Sequence, residues 1–258
     1  MNEEQTPLGA WLLASYQPVA LFSLKSALAT SSGGKTVLAP TPFALKMGLL
    51  SAAIRMNGRD AGQALFPLLR DLHVALRLPQ RLVVVNSFGK VRRPWEAPKQ
   101  AGADKGAAEA RARSKGTFPW NTTIAYREYV QFDGPLAFAF ALGQGASAGL
   151  DAVAALAPCL NYIGRRGGFV QLDALPRRAD ALPDGYTVLT AEGGSTFGVN
   201  WTLQTLDDCG PSLTFEQADI YSSKRITLGQ GRVLRHVPLP LRLASSGRGF
   251  SLYERIGE

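Results

Sequence analysis

Cysteine and histidine are nearly missing from this chain of 258 residues, with only two of each. Cys159 and Cys209 stand far apart and have no histidine at metal-ligand spacing, so neither a zinc site nor a disulfide framework is indicated. They read as buried, reduced thiols. His73 and His236 are also distant in sequence, and no paired-carboxylate motif accompanies them, so no catalytic constellation stands out. No apolar run reaches the roughly 18 residues of a membrane span. The start, Asn2-Glu3-Glu4, lacks the basic residues of a signal peptide. The expectation is a soluble, cytoplasmic protein with no membrane attachment, metal or cofactor. Acidic residues are in the minority, 20 against 28 lysines and arginines, which leaves a net charge of +8 and a pI near 9.7. That surplus favours a polyanionic partner such as nucleic acid or an anionic membrane.

What is present is enough apolar sequence, 46%, for one large domain or two small ones. Residues 18–30 read as a first strand, closed by the turn Ser31-Ser32-Gly33-Gly34-Lys35. Thr41 caps Pro42 at a first helical position, and Phe43, Met47, Leu50 and Ile54 recur at helical spacing until Gly58. This predicts an amphipathic helix over 42–58 with Phe43 and Met47 in the core. A further helical stretch is expected over 64–78, and the β-branched run Val83-Val84-Val85 predicts a strand over 81–87. Two strands over 122–132 and 136–142 flank the turn Asp133-Gly134-Pro135, followed by a helix over 147–156 and a strand over 169–172.

With residues 90–117 set aside, this is the βαββαβ order of an RRM or ferredoxin-like sheet, an α+β fold. Past Pro176 the helical period gives way to alternation, as in Val199, Trp201 and Leu203, and to Gly and Pro punctuation. The division expected is an RRM-like domain over 1–175 and a β-rich C-terminal subdomain over 176–258.

Two segments carry chemistry suited to phosphate. In Asn161-Tyr162-Ile163-Gly164-Arg165-Arg166-Gly167-Gly168, glycines let the backbone approach an anion, and two guanidinium forks match phosphate oxygens in pairs. In the insertion 90–117, Lys90, Arg92, Arg93, Lys99, Lys105, Arg111, Arg113 and Lys115 face only Glu96, Asp104 and Glu109. Such a stretch cannot bury enough surface to fold alone, and the expectation is an arm that orders on nucleic acid, with Trp95 and Trp120 as stacking platforms. Lys25, Lys46, Arg165 and Arg166 are expected to converge on one face of the sheet, with Tyr162 stacking on a base and Lys35 as a further RNA-binding candidate.

Two phosphate-loop look-alikes are weaker. Gly33-Gly34-Lys35-Thr36 has Ala29 where a Walker A loop needs glycine, and Pro40 and Pro42 keep a helix from starting at Lys35. Gly143-Gln144-Gly145-Ala146-Ser147-Ala148, with Asp173 as a ribose acceptor, suits a dinucleotide fold, but a Rossmann sheet needs more strand-helix units than follow.

Taken together, Leu24-Lys25-Ser26-Ala27, the Ser31 to Lys35 turn, Pro40-Thr41-Pro42-Phe43-Ala44-Leu45-Lys46-Met47 and Asn161-Tyr162-Ile163-Gly164-Arg165-Arg166-Gly167 resemble the Cas-five family of CRISPR-associated proteins, of the RAMP superfamily. The resemblance spans residues 16–172. It implies an RNA-binding subunit of a type I Cascade effector that caps the 5′ handle of the CRISPR RNA in antiviral defence. Its implied partners are that RNA, the backbone subunit, the large subunit and target DNA near the PAM end. The insertion would be the thumb, with Arg92, Arg93, Arg111, Arg113 and Lys115 matching by position and charge. One branch of the family processes precursor RNA through tyrosine, lysine and histidine, which makes a metal-independent endoribonuclease the enzymatic alternative. A dinucleotide-binding enzyme is the other.

Overall fold

In chain order the secondary structure runs β1 (Trp11–Pro18), α1 (Pro42–Arg70), β2 (His73–Arg77), β3 (Arg81–Pro94), α2 (Lys105–Ser114), β4 (Trp120–Phe132), β5 (Leu136–Ala141) and α3 (Gly149–Leu156). It continues with β6 (Val170–Leu172), β7 (Arg177–Ala179), β8 (Thr187–Val188), β9 (Thr202–Cys209), α4 (Phe215–Ala218), β10 (Arg232–Leu239), β11 (Leu241–Ser246) and β12 (Phe250–Arg255). These come from a computed structural model that describes residues 9–26, 29, 34–100, 104–143, 148–165, 167–191 and 198–257. The fold is mixed α/β and its sheets are antiparallel, in the orders β6-β1-β5-β2-β8 with β7 also on β1, β11-β12-β3-β4, and β10-β9. Among the described residues, no helix is long and apolar enough to cross a membrane.

In the first sheet, strand alternation sends Leu12, Ala14, Tyr16, Val74, Leu76, Phe138 and Phe140 into one core with Leu45, Leu49 and Ala52 of α1 and Leu150 and Val153 of α3. Each buried leucine, valine or phenylalanine among them contributes about 1.5–3 kcal/mol by leaving water. Tyr16 reaches through this core to donate its hydroxyl to the Ala157 carbonyl at 3.0 Å. The opposite face carries Trp11, Leu13, Ala75, Ala139 and Ala141, flanked by Ala179 of β7 and Val188 of β8, and Leu182 and Tyr186 pack against it. Alanine at three of those positions lets the covering segment lie close. The sheet face is therefore closed, which corrects the expectation that cations gather on it.

The second sheet grows from the first. β3 and β4 pair continuously from Leu82↔Phe132 to Pro94↔Trp120, so the hairpin runs from a buried base into an exposed arm. The insertion expected to lack structure is thus a hairpin with α2 at its tip. Its backbone groups are satisfied across the ladder, which needs no apolar periodicity. Asp104 caps α2 by accepting from Gly106 N at 2.9 Å and Ala107 N at 3.1 Å. Residues 176–258, read from sequence as a β-rich subdomain, supply β7 and β8 to the first sheet and β11 and β12 to the second.

Several elements differ from expectation. The first strand is β1, which ends at Pro18; beyond it, the described residues of 19–30 make the isolated bridges Phe22↔Val130 and Lys25↔Thr36. Thr41 does cap α1, accepting from Ala44 N at 3.2 Å, but the helix passes Gly58 through a kink at φ 85° and runs on to Arg70. Residues 73–77, expected as helix, form β2, because the core beside β5 takes Val74 and Leu76 as a strand. Most deeply buried on α1 are Leu45, Leu49, Ala52 and Ala53, while Phe43, Met47 and Ile54 pack half-exposed at the core's border. A helix covered on two sides needs more than one apolar stripe.

The second cover is the β9–β10 ribbon, and it is joined to α1 by charge. Lys46 and Asp208 are each 2% exposed, with Nζ to Oδ1 at 2.7 Å. Lys46 also donates to the Arg70 carbonyl at 2.9 Å. Asp208 further accepts from Cys209 N at 2.7 Å and Arg235 Nε at 3.0 Å. The neighbouring Cys209 thiol is pushed up to about 12 by burial. Removing Asp208 would strand the buried Lys46 ammonium, so Asp208→Ala should lower the unfolding free energy by about 3–5 kcal/mol in urea titrations. Lys46→Ala, which leaves Asp208 paired with Arg235, should cost less.

His73 lies beside this network, and burial first, then Lys46 and Arg235, lower its pKa below the usual 6.5. Below 6.5 the unfolded chain takes up the proton first, so stability should fall as pH drops through that window and be indifferent to His73 above it. In His73→Gln, the loss measured between about pH 7.5 and 5.5 should shrink.

Candidate functional site

A groove of about 280 Å³ opens where the first turns of α1 meet two loops and β10. Leu24 and Lys25 form one wall, Phe43, Ala44 and Met47 the floor, and Tyr162, Gly164 and Arg165 the second wall. Asp207 and Arg232 close the far side.

Each wall is held by local hydrogen bonds. The Lys25 strand is pinned to residues 35–37 through Ser26 N to Lys35 O at 3.1 Å and Val37 N to Leu24 O at 2.9 Å. It is also pinned to β4 through Phe22 N to Val130 O at 2.9 Å. The glycine-arginine loop closes on itself, with Gly168 N to Arg165 O at 2.9 Å and Ile163 N to Gly168 O at 3.0 Å. The Tyr162 hydroxyl lies 3.2 Å from Ser51 Oγ on α1. Gly164 has φ +74°, and a Cβ there would lie 2.2 Å from Leu24 Cδ2, so both conformation and space require glycine. Gly48 plays the same part on the helix, where a Cβ would meet Leu160 Cδ1 at 2.7 Å.

The sequence candidates divide sharply. Lys25, Tyr162, Gly164 and Arg165 meet in the groove, from segments more than a hundred residues apart. Lys35 is exposed on the strand beside Lys25 but does not line it. Lys46, expected at phosphate, is instead the buried partner of Asp208, because position 46 points at β9 rather than at solvent. Arg166 lies outside the described residues, as do Gly33 and residues 144–147 of the dinucleotide look-alike.

The arm is a second basic surface. Lys90, Arg92, Arg93, Arg111 and Lys115 are exposed on it. Arg113 is engaged, pairing with Glu109 at 2.7 Å and lying 4.0 Å over the Phe118 ring. Trp95 packs edge-on against Phe118 at 5.8 Å, whereas Trp120 is 51% exposed. On the arm face continuous with the groove wall, Phe88 and Ile124 are more than 70% exposed and alternate with Lys90 and Arg92. That face meets the body where Thr36 N donates to Glu128 at 3.0 Å, beside the Tyr126 phenol, which partial burial and donation to Glu128 push up to about 12.

Sequence reasoning missed Asp207 and Arg232, which no local motif marks. It also assigned Phe43 and Met47 to the core, although their four-residue spacing was the available signal for one shared face. His73 Nδ1 lies 3.5 Å from Thr190 Oγ1 and His236 Nδ1 3.1 Å from Thr205 Oγ1, and neither lines the groove.

No family model matches the sequence, and no curated protein does. Among solved structures the chain is similar to a CRISPR protein from Archaeoglobus fulgidus, with 14% identity and a TM-score of 0.46, over 96% of this chain and 92% of that one. It is also similar to a chain of a CRISPR RNA-guided surveillance complex, with 19% identity and a TM-score of 0.45, over 88% of this chain and 89% of that one.

Replacing Gly164 by alanine should cost about 1–2 kcal/mol for the left-handed conformation alone. It should also displace Leu24. Denaturant titration would report the first effect and altered proteolysis of the loop the second.

Proposed function

We propose that this chain is a non-catalytic RNA-binding subunit of a type I CRISPR Cascade effector complex, seated on the 5′ handle of the CRISPR RNA. The observation that carries the reading is the meeting of Lys25, Tyr162 and Arg165 in one groove. These residues come from two of the four segments on which the sequence resemblance rests. The exposed Lys25 and Arg165 suit a phosphate backbone, and the Tyr162 ring beside Arg165 suits an unstacked base, which is how single-stranded RNA is read.

The fold agrees with the same reading. Chain order strand-helix-strand-strand-helix-strand and sheet order β6-β1-β5-β2 support an RRM or ferredoxin-like domain of the RAMP kind, with the β3–β4 arm as thumb. Because the sheet face is covered, RNA would bind across the α1 end and the arm instead. The arm's exposed cations and apolar residues suit contact with RNA and with the backbone subunit, and the large subunit and target DNA are further partners on this proposal. Cleavage through the RNA 2′-OH needs a base at that hydroxyl, and the groove lining supplies no histidine for it.

Purified with its genomic neighbours, the chain should elute in a large RNA-containing particle. Mixed with repeat RNA in the absence of metal it should release no discrete product, and appearance of one would favour the nuclease instead. With about five phosphates engaged, log K should fall against log salt with a slope of roughly −3.5. Lys25→Ala with Arg165→Ala should weaken binding across all sequences and flatten that slope.

A further inference from the structure

The groove is electrostatically divided. Its rim, Lys25 and Arg165, is exposed and cationic, while its far side is a neutral pair. Arg232 donates through Nε to Asp207 Oδ2 at 2.6 Å and bonds the same oxygen through Nη2. Asp207 is 6% exposed, so its negative charge is fixed inside. The rim carries the surplus positive charge and suits phosphates, whereas the paired interior carries none and suits a neutral base. The space, about 280 Å³, has room for a base.

Arg232 is also oriented. Its guanidinium lies 4.6 Å over the Phe43 ring, and Asp207 occupies the side bearing Nε. Among the described residues Nη1 bonds to no acceptor, so Nη1 and the remaining N–H of Nη2 form a two-donor edge. Two parallel donors match N7 and O6 of guanine. Adenine offers an acceptor beside a donor there, and pyrimidines lack the pair. A planar arginine held by both stacking and a carboxylate has little freedom to rearrange for another base.

Resting on the RNA-binding reading above, we infer that the groove is a base-reading subsite that selects guanine in single-stranded RNA. Arg232 donates to O6 and N7, Met47 and Tyr162 bound the slot, and Lys25 and Arg165 take the flanking phosphates.

The test is the affinity of the full-length chain for short oligouridylates carrying one central variable base. Guanosine should bind roughly tenfold to a hundredfold tighter than adenosine or uridine. Inosine, which keeps N7 and O6, should retain the preference, and 7-deazaguanosine, which lacks N7, should lose most of it. These probes act on the unaltered protein, so the outcome does not depend on a variant folding. Arg232→Lys, checked by circular dichroism, should lose the guanine preference. Lys25→Ala with Arg165→Ala should lower affinity for every probe and leave the preference intact. Equal affinity for all central bases would overturn the base-reading subsite and leave RNA binding standing. Failure to bind any oligomer would overturn both.

Discussion

The ion pair between Lys46 and Asp208 is the constraint on which the rest of the architecture depends. An ammonium and a carboxylate removed from water must find each other, and here they come from a helix near the start of the chain and a strand near its end. The pair fixes α1 against the β9–β10 ribbon while the helix's apolar residues fix it against the first sheet. Alternation along β9 then turns Asp208 inward and sends Asp207 to the groove. A slip of one residue would put either Leu206 in the groove and Asp207 against Lys46, or Asp208 in the groove and Cys209 against Lys46, so one of the two cations would lose its carboxylate. Core stability and groove chemistry are set by one register.

Closure of the first sheet explains why the candidate site sits where it does. An open sheet face would offer a broad platform, but Trp11 and Leu13 are already covered by the segment around Leu182 and Tyr186. What remains available is the end of α1, where Gly48 and Gly164 let the helix, the Leu24 segment and the glycine-arginine loop approach closely. The groove is the space those side chains leave. The arm extends the same side of the molecule, because the β3–β4 ladder is continuous from the buried Val84 and Val130 to the exposed Phe88 and Ile124.

The fold was legible where a local rule had no competitor. Thr41 and Pro42 announced the start of α1, Asp133-Gly134-Pro135 the turn between β4 and β5, and the β-branched run at 83–85 the base of β3. It was illegible where tertiary pairing overrode local preference. Residues 73–77 look helical but complete a sheet, and residues 90–94 look formless but pair with residues 120–124. Of the candidate site, the glycine-arginine loop and Lys25 could be read, since glycine beside guanidinium is itself a local signal. Lys46 could not, because an exposed and a buried lysine are the same letter.

The sequence by itself determined the basic balance, the start of α1 and the glycine-arginine loop, since each depends on neighbours within a few residues. Only the tertiary structure decided which cations are paired inside, which sheet face is closed, and that Phe43, Asp207 and Arg232 share one wall. Those outcomes depend on contacts between residues distant in sequence, Lys46 with Asp208 and Phe43 with Arg232 among them, and desolvation and strand register act on such contacts only once the chain has folded.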